Sequence, residues 1–227
     1  MKRKQEQRGG FTLVELLVVI SIIGVLAALI IPLAGTVAIH KKINTAQAEL
    51  QRLETGLENY KAKYGVYPPA NPNSPVFSPL YYELAGVTVT GSGPALSYGT
   101  LDGASTLLAV EYQSQFGVGG VVNSTKGSGE ETAYAKSFLP GLKLSTETVL
   151  ATNGDASGVK FGYLVTSVGG PDVNSSPLIA GQNPFRYMYP GTNNPGSYDL
   201  WIQLTIKPHK YLICNWTSQV LHDNPLP

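Results

Sequence analysis

The stretch FTLVELLVVISIIGVLAALII, residues 11–31, decides the fold of this chain, because it contains a single strongly polar residue, Glu15. About 20 residues of α-helix, rising 1.5 Å per residue, span a hydrocarbon core of roughly 30 Å. The stretch therefore predicts a membrane-spanning helix. Four basic residues among 1–10, with only Lys41 and Lys42 after the helix, favour a cytoplasmic N-terminus and a C-terminal part outside the cytoplasm.

The acid inside this helix needs an explanation, because a carboxylate in the middle of a membrane helix costs about 2.5–3.5 kcal/mol. A secretory signal peptide has a shorter apolar region, of about 7–15 residues, that ends at a small-residue cleavage site. Here Gly9 and Gly10 precede the apolar run instead. A cut just ahead of the apolar run would create a positively charged amine about one helical turn from Glu15. A plain signal anchor with an accidental acid is the alternative.

The motif GGFTLVE, residues 9–15, behind the basic leader MKRKQEQR, resembles the prepilin signature of type IV pilins and type II secretion pseudopilins. The resemblance implies that a prepilin peptidase cuts after Gly10 and that the Phe11 amine is methylated. It also implies an assembly role for Glu15, whose carboxylate would pair with the Phe11 amine of a neighbouring subunit. Gly24 and Pro32 lie where pilin helices have a glycine and a proline, which implies a kink that unwinds during filament packing. A simple tolerated proline kink is the alternative.

From residue 43 the apolar residues recur three and four positions apart, which predicts an amphipathic helix with one apolar stripe, or alternatively a short coiled coil. Gly65 and the Pro68-Pro69 pair predict its end. We expect a leader at 1–10, a hydrophobic membrane and filament-core helix at 11–39, an amphipathic half at 40–64 and a periplasmic head at 65–227. The stripe consists of Ile43, Ala46, Leu50, Leu53, Leu57, Tyr60 and Tyr64.

The head has the composition of short antiparallel strands, with β-branched and aromatic runs between Gly, Pro and Asn clusters. Strands are predicted within 86–90, 160–168, 185–189, 200–207 and 211–216, with the helix stripe covering one face of the sheet. The predicted fold class is α+β. Residues 91–150, rich in Gly, Ser and Thr, are interpreted as an insertion. Tyr81, Tyr82 and Trp201 are predicted to lie in the core, since no basic groove accompanies them.

Three further motifs resemble segments of the type II secretion pseudopilins. YGVYPP at 64–69 resembles the end of their long helix. NPFRYMYPG at 183–191 and YDLW at 198–201 resemble the C-terminal part of the major, G-type subunits. This resemblance implies a pilin-like fold. G-type subunits follow Y-D-L with a calcium-binding Gly-Ala-Asp-Gly loop, whereas residues 201–216 contain no acid. If calcium is bound, we expect oxygen ligands from Asp155, Asp172 and Asp199; no other cofactor is expected.

Other kinds of function find little basis in the sequence. A formal net charge of +1 with 14% charged residues excludes field-driven binding to nucleic acid. No catalytic motif is present, and His40, His209 and His222 are isolated in sequence, so we expect no enzyme.

The predicted function is a structural subunit of a filament, a type II secretion pseudopilin close to the major G-type. A major or minor type IV pilin is the alternative, and a membrane-anchored periplasmic enzyme or binding protein is the alternative from another class. Expected partners are further copies and other pilin-like subunits, the prepilin peptidase, an inner-membrane assembly platform and, before assembly, membrane lipid. We expect the chain in the bacterial inner membrane and then in a periplasmic pseudopilus or cell-surface pilus.

Overall fold

The computed structural model of the chain describes residues 12–125, 134–139, 141, 148–152, 160–169, 182–206 and 209–223. It divides into two compact units, Met1–Lys42 and Ile43–Pro227. The fold class is α+β, as predicted, with a long N-terminal helix and a head of antiparallel and mixed β-sheets.

Helix α1, Leu13–Tyr64, is continuous over 52 residues. In the first unit its apolar side chains are exposed over the described stretch, from Leu13 at 78% to Val19 at 47%. Exposed apolar surface on this scale indicates contact with lipid or with other protein chains. Within the part of the chain that the structure describes, no helix combines the length and the apolarity needed to cross a membrane.

In the second unit α1 is amphipathic, which confirms the predicted stripe. Six of its seven residues are buried and Tyr64 is half-buried; the buried ones are Ile43, Ala46, Leu50, Leu53, Leu57 and Tyr60. Each buried Leu contributes about 1.5–3 kcal/mol to folding. The helix ends as predicted at Gly65, whose φ of +79° is left-handed and whose N–H donates to the carbonyl of Lys61 at 2.7 Å.

Two short helices that the sequence analysis did not predict lie in the head. Helix α2, Leu80–Ala85, is buried at all six positions. Helix α3, Ala109–Phe116, buries Tyr112 and Phe116. Neither shows a long 3.6-residue pattern, because α2 has no exposed face and α3 has only about two turns.

The first sheet contains strands β1 (Val87–Thr90), β2 (Ser97–Thr100), β3 (Thr106–Leu108) and β4 (Ser124–Thr125), in the order β3-β2-β1-β4. β1 pairs antiparallel with β2, as predicted, and parallel with β4, so this sheet is mixed. The segment interpreted as an insertion thus supplies three strands of this sheet.

The remaining strands form antiparallel sheets and confirm the four strands predicted after residue 159. Their orders are β5-β6-β7 and β11-β10-β9-β8, and Phe185, between β7 and β8, donates its N–H to Leu164 of β6 at 3.1 Å. The strands are β5 (Thr148–Thr152), β6 (Lys160–Thr166), β7 (Asn183–Pro184), β8 (Arg186–Met188), β9 (Asp199–Ile206), β10 (His209–Cys214) and β11 (Leu221–His222).

The core is rich in aromatic side chains, as predicted for Tyr81, Tyr82 and Trp201, which are 0%, 0% and 3% exposed. Rings pack edge to face, with centroids 5.5 Å apart for Tyr82 and Tyr112 and 4.9 Å apart for Tyr112 and Phe116. Such aromatic pairs add about 0.5–1.5 kcal/mol beyond the area they bury.

A fully buried carboxylate, Glu83 of α2, joins α1 to the segment before β4. It accepts hydrogen bonds from the Tyr60 hydroxyl at 2.8 Å, from the Val122 N–H at 3.0 Å and from the Asn123 N–H at 3.1 Å. Burial, together with the nearby Glu83 charge, raises the pKa of Tyr60, so that its hydroxyl stays protonated and donates. A buried carboxylate is tolerated because N–H and O–H donors replace its water.

We predict that Glu83→Gln weakens the head, because an amide accepts through one oxygen where the carboxylate uses two. Hydrogen bonds to charged groups contribute about 1.5–3 kcal/mol, which for a domain of this size corresponds to a fall in Tm of roughly 3–10 °C. The measurement is thermal unfolding followed by circular dichroism. Glu111→Gln is the matched control, since Glu111 is only half-buried and bonds to the Leu108 N–H in a way that Gln preserves. Equal Tm values for the two variants would contradict the prediction.

Candidate assembly site

The predicted site residues divide between described and undescribed parts of the chain. Gly10 and Phe11, and the possible calcium ligands Asp155 and Asp172, lie outside the described residues. The others are Glu15, Gly24, Pro32 and Asp199. Gly24 and Pro32 lie within the continuous helix α1, and their role in helix unwinding stays a prediction.

Thr12 and Glu15 form a hydrogen-bonded cap at the start of α1. The Thr12 N–H donates to Glu15 Oε2 at 2.9 Å and the Thr12 hydroxyl donates to the same oxygen at 2.8 Å. In return, the Glu15 N–H approaches Thr12 Oγ1 at 3.3 Å. This is a capping box, in which side chains satisfy backbone N–H groups that have no partner inside the helix.

This cap was not predicted from the sequence, where Glu15 was explained by charge alone. The signal was present, since Thr-x-x-Glu ahead of an apolar run is the pattern of a capping box. The cap lowers the energy of a carboxylate in apolar surroundings, because N–H and O–H donors and the positive end of the helix dipole face it. It also holds the carboxylate at the Thr12 N–H, one residue after Phe11, whose nitrogen would become an amine if the chain were cut after Gly10.

The capped carboxylate is followed at once by exposed apolar side chains. Leu13 is 78% exposed and Val14 is 69% exposed, and this exposure continues through Leu26. The Glu15 carboxylate is thus a single charge, held in place by its cap, at the start of a helical segment with exposed apolar side chains. Apolar side chains supply attraction without a defined register, whereas a single charge can define which position of a neighbouring helix lies opposite it.

Comparison with known proteins bears on this segment. Residues 7–31 match the family model of the prokaryotic N-terminal methylation motif. The chain is also 34% identical over 65 residues to the type II secretion system core protein G of Pseudomonas aeruginosa. The chain is a pseudopilin-like protein. The aligned region covers 29% of the pseudopilin-like chain and less than half, 46%, of that relative. No solved structure shows a significant match.

Of the three predicted calcium ligands, Asp199, at the start of β9, is the one that lies within the described residues. Its side chain is 2% exposed and accepts from the Asn193 N–H at 2.8 Å, the Asn193 side-chain amide at 3.0 Å and the Asn194 N–H at 2.9 Å. Gly191 makes room for it, because a Cβ there would lie 2.6 Å from Asp199 Oδ1.

These contacts satisfy the Asp199 carboxylate without an ion. Calcium takes six to eight oxygen ligands, and both oxygens of this carboxylate already accept N–H groups. Among the described residues no group of three His, Cys, Asp or Glu side chains is placed to hold a metal ion. Calcium binding through Asp155, Asp172 and Asp199 stays a prediction.

We predict that Asp199→Asn lowers the stability of the head equally with calcium and with a chelator. The amide loses charge-assisted bonds to two N–H groups, which amounts to about 1.5–3 kcal/mol, and this loss involves no ion. Tm would be measured in both conditions beside the wild-type chain. A loss of Tm confined to calcium-containing buffer would show instead that Asp199 is a calcium ligand.

Proposed function

We propose that this chain is the structural subunit of a pseudopilus in type II protein secretion, close to the major G-type subunit. A prepilin peptidase cuts it after Gly10, Phe11 is methylated, and the mature chain polymerises through α1. The observation that carries the proposal is a capped Glu15 at the head of a helix whose apolar side chains are exposed in the single chain.

The exposed start of α1 also supports the proposed locations and partners. Apolar side chains at 47–78% exposure from Leu13 to Val19 need a non-aqueous environment, which lipid supplies before assembly and other subunits supply afterwards. In this proposal the chain first spans the bacterial inner membrane, with its N-terminus in the cytoplasm and its head in the periplasm. An inner-membrane assembly platform then transfers it into a periplasmic filament of identical and other pilin-like subunits. The role is structural, without catalysis.

We predict that Gly10→Val blocks processing, because the residue before the cut must be small enough for the peptidase site. Expressed in its native host, the variant should accumulate as a membrane-bound precursor, identified by the mass of its N-terminal peptide. Processing also removes four basic residues and one acid, which shifts the formal charge of the chain from +1 to −2. Gly24→Val is the matched control, since a Cβ at Gly24 meets no atom within 4 Å in the single chain. A mature Gly10→Val chain of wild-type mass would contradict the proposed cut.

Variants of the cap can separate the two roles of Glu15. Glu15→Gln keeps an acceptor for Thr12 but removes the charge, whereas Thr12→Ala removes the hydroxyl and keeps the charge. Leaving the Phe11 amine buried without its carboxylate would cost about 3–5 kcal/mol per subunit. We therefore predict that Glu15→Gln chains are cut and inserted but form few or no filaments, while Thr12→Ala chains still assemble in reduced number.

The measurement is the number and length of sheared filaments, after mass spectrometry has confirmed cleavage of each variant. Ser21→Ala is the control in the same helix, because the Ser21 hydroxyl bonds only within its own turn, to the Leu17 carbonyl at 2.7 Å. Wild-type filaments from Glu15→Gln together with loss of filaments from Thr12→Ala would assign Glu15 to capping and end the charge-pairing proposal.

A further inference from the structure

Two histidines that are isolated in sequence become neighbours in the head. Tyr211 of β10 pairs directly with His222 of β11, so His209, two residues before Tyr211, lies diagonal to His222 on the same face. The ring centroids of His209 and His222 are 6.4 Å apart, and those of Tyr211 and His222 are 4.5 Å apart. Both histidines are exposed.

Asp223 fixes one of these imidazoles. Its Oδ2 lies 2.8 Å from His209 Nδ1, while its Oδ1 accepts the Lys210 N–H at 2.8 Å. The Asp223 N–H in turn donates to the Lys210 carbonyl at 2.8 Å, and its φ of +51° is left-handed, which is uncommon for a residue other than glycine. Hydrogen bonds to the backbone of Lys210 thus fix the position of the Asp223 carboxylate. The carboxylate bonds Nδ1 of His209, which leaves Nε2 as the ring nitrogen for another ligand.

A carboxylate on one ring nitrogen and a metal ion on the other is the common arrangement of metal-binding histidines. The carboxylate sets the tautomer and the orientation of the ring and makes the other nitrogen more basic. His209 has a carboxylate, that of Asp223, on one ring nitrogen, and the imidazole of His222 lies beside it. Imidazole pairs favour zinc, copper and nickel over calcium and magnesium, which prefer oxygen.

We propose that His209 and His222 bind one divalent transition-metal ion, through Nε2 of His209 and a ring nitrogen of His222, with water as the remaining ligands. Zn–N bonds of about 2.0–2.1 Å place the centroids of two bound imidazoles roughly 5–6 Å apart, so the observed pair needs to approach by only about 1 Å. Asp223 is a positioning residue for His209. Since no third His, Cys, Asp or Glu among the described residues completes an enclosing site, the site is an open one of two imidazoles.

The ion would link β10 and β11, which pair with each other over only two residues. β11 has two residues, which pair with Tyr211 and Leu212 of β10. A metal ion bound only by the folded hairpin raises the stability of the fold in proportion to the logarithm of ion concentration over Kd. The proposal is independent of filament assembly, so a failure of either leaves the other standing.

The test is calorimetric titration of the detergent-solubilised full chain with Zn²⁺ and, separately, with Ca²⁺, after treatment with a chelator. We expect the wild-type chain to bind one Zn²⁺ and His209→Gln and His222→Gln each to lose at least about tenfold in affinity, as metal sites do when supporting groups are removed. Asp223→Asn should lose about 10–100-fold in affinity while the bound stoichiometry stays at one ion. Ca²⁺ should give no heat at this site.

The chain offers a matched control in His40, its third histidine, which is exposed on α1. His40→Gln should bind Zn²⁺ like the wild type. Thermal unfolding without metal shows whether each Gln variant is folded, and added Zn²⁺ should raise Tm in the wild type and in His40→Gln but not in the His209→Gln, His222→Gln double variant. Absence of Zn²⁺ binding by the wild type, unchanged binding by the folded double variant, or loss of binding in His40→Gln would overturn the proposal.

Discussion

The head depends on one buried carboxylate, because Glu83 provides acceptors for groups from two other parts of the fold. The Tyr60 hydroxyl reaches it from α1, and the N–H groups of Val122 and Asn123 reach it from the segment before β4. The Asn123 side chain continues the network, donating to the Glu83 carbonyl at 2.7 Å and accepting the Tyr64 hydroxyl at 2.7 Å. Apolar packing is tolerant of sliding, whereas these bonds allow one position of α1 on the head. A charge buried in this way makes the docking of the helix specific as well as favourable.

Helix α1 presents two surfaces with different requirements. From Ile43 to Tyr60 its stripe is covered by the chain itself, but its start, around Leu13 and Val14, is exposed. Exposed apolar side chains such as Leu13 and Val14 gain free energy when lipid or another protein chain covers them. In the single chain the stripe is buried, whereas the described apolar side chains at the start of α1 are exposed. The proposed polymerisation follows from that difference.

Much of this fold could be predicted from the sequence, and the failures share a physical cause. The stripe of α1, its end at Gly65 and the strands after residue 159 follow from periodicity and turn residues, which are local signals. The parallel pairing of β1 with β4 could not be predicted, since it depends on contacts between residues far apart in the chain. Helix α2 was missed because a helix buried on all sides has no polar face to give a period. At the candidate assembly site, Glu15 was identified because a carboxylate in lipid is unfavourable in free energy. Its cap could have been predicted from the Thr-x-x-Glu pattern but was overlooked.

The corner between β8 and β9 shows how the same electrostatic problem can have different solutions. In the G-type subunits that this chain resembles, a calcium-binding loop follows the Y-D-L strand. Here the Asp199 charge is met by N–H groups of Asn193 and Asn194, and Gly191 leaves the space that the carboxylate needs. N–H donors at 2.8–2.9 Å stabilise a carboxylate without the cost of stripping water from a cation. The corner is therefore held by contacts inside the chain.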